Sequence, residues 1–99
     1  MHSPDFAHNS DRSRFEIVVD GVVVGKTYYR ENSGRRTFTH TEVDPAQQGK
    51  GLATQLIEFA LAATRDADLR IAAECPTVTA YLSRHNEYDD IVDAPEPAE

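Results

Sequence analysis

QQGKGLAT (residues 47–54) stands between the β-branched run TFTHTEV (37–43) and the amphipathic run QLIEFALAATR (55–65). Two glycines two apart, with a lysine between them, mark the point where a strand gives way to a helix. Backbone N–H groups at such a helix start point at an anion. Upstream, RRTFTHTEV (35–43) reads as a strand that Pro45 ends. Downstream, Leu52, Leu56, Phe59, Ala60 and Ala63 fall on one face of a helix running from Lys50 to about Arg65. LRIAAEC (69–75) is a short buried strand, and PTVTAYLSRH (76–85) a second helix. Toward the N-terminus, RFEIVV (14–19) alternates as a strand. Asp20-Gly21 supplies a type I′ hairpin turn, and VVVGKTYY (22–29) returns. Asn32-Ser33-Gly34 marks the next turn. The order β-β-β-α-β-α gives an α/β fold with a mixed, mostly antiparallel sheet. The strands on either side of the first helix are expected to lie parallel, joined by a right-handed crossover.

Ninety-nine residues make one domain. Residues 1–13 and 93–99 are polar, dotted with proline and without apolar periodicity, so they are expected to be unstructured tails around a domain at 14–92. The net charge is −7, and residues 14–92 hold nine Lys/Arg against twelve Asp/Glu. That balance offers no basic face for nucleic acid. No apolar stretch reaches the length of a membrane span, and the N-terminus shows no signal-peptide pattern. The single cysteine, Cys75, excludes an internal disulfide and fits a reducing cytosol. The four histidines show no metal-ligand spacing, and His2 and His8 fall in a tail, so no metal is implied.

Two familiar phosphate loops do not fit. A P-loop needs GK[ST], whereas Lys50 precedes Gly51 and Leu52 follows it. A dinucleotide fingerprint needs a third glycine where Thr54 stands, and more sheet than this chain has. The pattern that fits is Gln48-x-x-Gly51-x-Ala53 between a strand and a helix. HTEVDPAQQGKGLATQLIEFAL (40–61) resembles motif A of the GNAT acetyltransferases. With HTEV, GKGLA, CP and YLSRHNEY together, the chain is similar to the compact Yjdj-type GNAT domains over residues 14–92. The resemblance implies a reduced GNAT fold. It also implies acetyl-CoA as acetyl donor, held at Val43 and at Gln48, Gly49, Lys50, Gly51, Leu52 and Ala53, with an unidentified amine as acceptor.

Several residues could carry the transfer. Cys75-Pro76 lies where the last strand meets a helix, and proline suits the first helical position, which makes Cys75 the N-cap. The helix dipole lowers the pKa of a thiol placed there, so Cys75 is either a nucleophile that takes the acetyl group or a packed thiol. His40 and Glu42 share strand parity with Phe38. If Phe38 faces the core, both point inward to the cleft, unless a bulge at Val43–Asp44 changes the parity. There they would form a general base or a polar pair satisfied within the fold. His85 and Tyr88 follow the second helix, and either could pass a proton to the CoA sulfur. A helix-end histidine serves equally as a capping partner. The Tyr81 ring, on the face of Val78, belongs to the core. Two functions follow: an N-acetyltransferase, direct or through Cys75, or a non-catalytic module that only binds acetyl-CoA.

Overall fold

A computed structural model describes residues 3–93. Its strands are β1 (Asp5–Asn9), β2 (Arg14–Val19), β3 (Val22–Asn32), β4 (Arg35–Val43) and β5 (Arg70–Ala73); its helices are α1 (Leu52–Asp66) and α2 (Pro76–Arg84). The five strands form one sheet in chain order. β1 to β4 are antiparallel and β5 lies parallel to β4. The β2–β3 turn has positive φ at both Asp20 (52°) and Gly21 (79°), a backbone that matches the twist of the strands it joins. Ser33 and Gly34 repeat that geometry between β3 and β4.

Period-2 alternation sends Phe15 and Ile17 of β2, Tyr29 of β3 and Phe38 of β4 toward α1. There they meet Leu56, Ile57, Ala60 and Leu61. Phe15, Ile17, Phe38, Leu56 and Leu61 are wholly buried, and each such side chain contributes about 1.5–3 kcal/mol. One charge enters this core. Arg36 is 5% exposed, and its guanidinium lies 4.6 Å from the Tyr29 ring. It donates to Glu31 Oε1 (2.9 Å) and Thr64 Oγ1 (3.2 Å), which compensates its removal from water. The other face of the sheet carries ion pairs: Arg14–Glu16, Lys26–Glu42 and Arg30–Glu74.

The β3–β4 ladder shifts by one residue. Tyr29 pairs with Phe38 and Tyr28 with His40, so Thr39 is extra on β4. A bulge of this kind reverses parity beyond it. Thr41, which pairs with Thr27, therefore continues the core-facing row after Phe38, and His40 and Glu42 turn to the opposite face.

The expected N-terminal tail is corrected at Asp5–Asn9, which pairs along β2 from Asp5↔Val18 to Asn9↔Arg14. The Phe6 ring stacks on Phe59 of α1 with centroids 5.0 Å apart, and the His8 ring stacks on Phe15 at 4.2 Å. Two side chains are too few to register as periodicity, but they suffice to dock a strand on an edge whose backbone groups need partners. At the other end, Asp93 donates its N–H to the Ile71 carbonyl (2.7 Å) and its carboxylate meets Arg70 and Arg35. Residues 94–99 of the expected C-terminal tail, and His2, lie outside the described residues. No helix among the described residues is long and apolar enough to cross a membrane.

Deleting residues 1–9 is expected to lower the melting temperature by several degrees, because it strips β2 of one of its two partners and Phe59 of its stack. Calorimetric melting checks this, and an unchanged melting temperature would contradict the docking of β1. A second expectation concerns His8, whose Nε2 lies 2.6 Å from the Tyr29 hydroxyl. Burial, and then the nearby Arg36 cation, hold its imidazole below the ordinary 6.5, with Glu31 opposing. The unfolded chain thus takes up this proton at a higher pH than the folded one. The contribution is fully present above about pH 6.5 and is lost as pH falls through the folded value. Urea unfolding in the two pH regimes should show a larger acid loss for the wild type than for His8→Phe, which keeps the stack; equal losses would contradict it.

Candidate functional site

β4 and β5 pair only over Arg35–Phe38 and Arg70–Ala73. The Phe38 carbonyl closes the joint by accepting from the N–H groups of Glu74 (2.8 Å) and Cys75 (3.2 Å). Beyond it β4 runs on to Val43, while the other chain turns at Cys75 into α2. A cleft of about 410 Å³ opens between them, lined by Thr41, Glu42, Val43, Gln48, Ala53 and Thr77. Ala53 is in the first turn of α1 and Thr77 in the first turn of α2, so the positive ends of both helices meet the cleft.

The loop into α1 is set by short-range contacts. Asp44 Oδ1 accepts from the Ala46 N–H at 2.9 Å, and a 3-10 turn follows over Pro45–Gln47. Gly49 (φ 83°) and Gly51 (φ 73°) then take left-handed backbone. Gly51 is the N-cap of α1 and has no side chain to bond to the first-turn amides, which leaves them open to an anion at the cleft. Leu52 is 7% exposed and its side chain is core, so only its backbone is available to a ligand. Lys50 is exposed, and its Nζ donates to Gln47 Oε1 at 3.1 Å.

Cys75 is the N-cap of α2, with Pro76 at the first helical position. The thiol is 3% exposed and donates to Thr41 Oγ1 at 3.3 Å, and Thr41 Oγ1 lies 2.8 Å from Thr27 Oγ1. The amides of Thr77 and Val78 face the sulfur, short of a full capping bond. Burial pushes the thiol pKa up, but the Thr41 hydroxyl, these two amides and, as the smallest contribution, the Thr77 hydroxyl outweigh it and hold it below the ordinary thiol range. Cys75 thus sits one residue deep, behind Thr41.

His40 and Glu42 are not inward. The parity changes at Thr39, ahead of both, rather than at Val43–Asp44. Their side chains are 60% and 51% exposed and lie 3.4 Å apart, and Glu42 also lies 3.8 Å from Lys26. Glu42 still borders the cleft from the far side of β4. His85 stacks on Tyr81 at 4.1 Å and approaches Glu87 at 3.6 Å. It lines a recess of about 170 Å³ that adjoins the cleft through Ala53 and Thr77. Tyr81 is core, as its helix face implied, and burial pushes its hydroxyl up to about 12. Tyr88 is buried beneath Arg65. Thr41, Thr77 and Thr27 stand at or behind the cleft, and sequence reasoning missed all three. TFTHTEV places threonine at every second position, and nothing in it marks Thr39 as the extra residue. Among the described residues no group of three or more His, Cys, Asp or Glu could hold a metal ion.

The family model of GCN5-related N-acetyl-transferases matches residues 14–91. Among solved structures, a GCN5-like protein from Staphylococcus aureus superposes with a TM-score of 0.70 at 20% identity, covering 93% of this chain and 90% of that one. The ribosomal-protein-alanine N-acetyltransferase of Brucella melitensis gives 0.57 at 22% identity, covering 87% and 64%. An acetyltransferase from Vibrio fischeri gives 0.51 at 17%, covering 63% and 59%. At these identities the likeness is one of fold. No protein with a curated description matches the sequence.

Proposed function

From the premise that the chain belongs to the GCN5-related N-acetyltransferase family, we propose that it is an acetyl-CoA-dependent N-acetyltransferase of the compact Yjdj type acting on an amine. One observation carries this reading: β4 leaves β5 at Phe38 and opens a cleft onto which the first turns of both helices converge. The pyrophosphate of acetyl-CoA would take the backbone amides of the Gln48–Ala53 loop, including those of Gly49, Gly51 and Leu52. Lys50 would add only a solvent-screened attraction. Val43 and the outer edge of β4 would flank the pantetheine arm and bring the thioester toward Thr41.

Acetyl-CoA supplies the activated acyl group, and this chain's residues bind it, orient it and handle the protons. In the route through Cys75, the thiolate forms a bond to the acetyl carbonyl carbon as the bond to the CoA sulfur breaks. CoA leaves as a thiolate and takes a proton from water. An amine then attacks the acetyl-cysteine, the carbon–sulfur bond breaks, and an amide forms as the amine loses a proton. Glu42, which borders the cleft with His40 beside it, would receive that proton from an amine entering the cleft. His85 borders the neighbouring recess and is assigned no step. The burial of Cys75 and the outward turn of His40 and Glu42 favour a second reading, a module that binds acetyl-CoA without transferring it.

Incubation with acetyl-CoA and no acceptor is expected to leave a hydroxylamine-sensitive acetyl group on the protein, seen by intact-mass spectrometry and abolished in Cys75→Ser. An adduct of equal yield in Cys75→Ser would remove the cysteine from the route. Absence of both an adduct and any acetylated product in a cell extract would favour the binding module.

A further inference from the structure

Thr27 and Thr41 form a hydroxyl pair with an unusual placement. Thr27 is wholly buried, and among the described residues its hydroxyl meets only Thr41, 2.8 Å away. Thr41 has one side toward the cleft and its oxygen within reach of the Cys75 thiol, 3.3 Å off. A threonine hydroxyl has one hydrogen to donate and two lone pairs. With no other acceptor beside it, the Thr27 hydrogen has one destination, the Thr41 oxygen. In the thiol state Cys75 donates to the same oxygen, which fills both lone pairs of Thr41. The hydrogen of Thr41 is then directed away from both, toward the cleft. When the sulfur loses its proton it ceases to be a donor and becomes an acceptor, and the Thr41 hydrogen can turn to it. Thr27 keeps its bond in both arrangements.

We propose that Thr41, held by Thr27, is a positioning residue whose hydroxyl turns between the cleft and the Cys75 sulfur. While the sulfur carries its proton, the hydroxyl donates to the acyl or sulfur end of a bound thioester. Once the sulfur is a thiolate, it donates to that charge and aims it. The hydroxyl neither gains nor loses a proton overall, because it only rotates. This deepens the reading above and rests on it for what the cleft binds, but the thiolate arm does not need a ligand to be read.

The test is a pH titration of thiolate absorbance in the ultraviolet on the full chain without acetyl-CoA. Cys75 is the one cysteine, so the difference from Cys75→Ala reports it alone. Thr41→Val keeps the shape and removes the hydroxyl, and it is expected to move the midpoint upward. Thr27→Val should move it upward by less, because it removes only the group that fixes Thr41. Thr41→Ser should restore the wild-type midpoint. An unmoved midpoint in Thr41→Val, checked as folded by circular dichroism, overturns the proposal. If Thr41→Val does not fold, an unmoved midpoint in Thr27→Val overturns it equally. Acetyl-CoA calorimetry on the wild type separates the two readings: failure to bind removes the function proposed for the cleft and leaves the thiol midpoints where they are.

Discussion

The Phe38 carbonyl is where the sheet stops being a sheet. It accepts two N–H groups, from Glu74 and Cys75, at the last backbone hydrogen bonds between β4 and the chain of β5. One residue later Thr39 bulges. The first constraint ends the pairing and the second turns β4 over, and together they decide what faces the gap. Without the bulge, period-2 alternation would carry the core-facing row from Phe38 to His40 and Glu42. With it, that row continues through Thr41, whose hydroxyl lies between a buried partner and the cysteine that starts α2.

Everything else supports that arrangement. The hydrophobic contact of β2 to β5 with α1 fixes the floor, and α1 begins at the rim of the gap because Gly49 and Gly51 let the loop turn with left-handed backbone. α2 begins at the other rim because Pro76 pre-sets its first turn. Two helix starts thereby point at one space, an arrangement suited to a ligand that carries negative charge at one end and an acyl group at the other. The same helix start also lowers the thiol pKa against the rise that burial imposes.

Much of this was legible in the sequence, and the reasons differ by element. β2 and β4 have the ends that alternation and turn residues imply, since Asp20-Gly21 and Ser33-Gly34 permit few other backbones. The place of Cys75 as an N-cap followed from Pro76 alone. β1 was not legible because Phe6 and His8 are only two inward side chains, and Phe59, on which Phe6 stacks, lies far along the chain. The inward face of β4 was misread because a bulge is settled by the register between two strands, which no single strand encodes. That one residue moved His40 and Glu42 outward and hid Thr41 from notice.

The central claim is that the gap beside β4 beyond Phe38, between the starts of α1 and α2, is the acetyl-CoA site. Amide chemical shifts followed by NMR during addition of acetyl-CoA test it most directly. The account predicts the largest changes at Thr41, Val43, Gly49, Gly51, Leu52, Ala53 and Thr77, with β1 and β2 almost unmoved. Changes centred on β1 and the β2–β3 turn, with the loop amides and Thr41 unmoved, would contradict it.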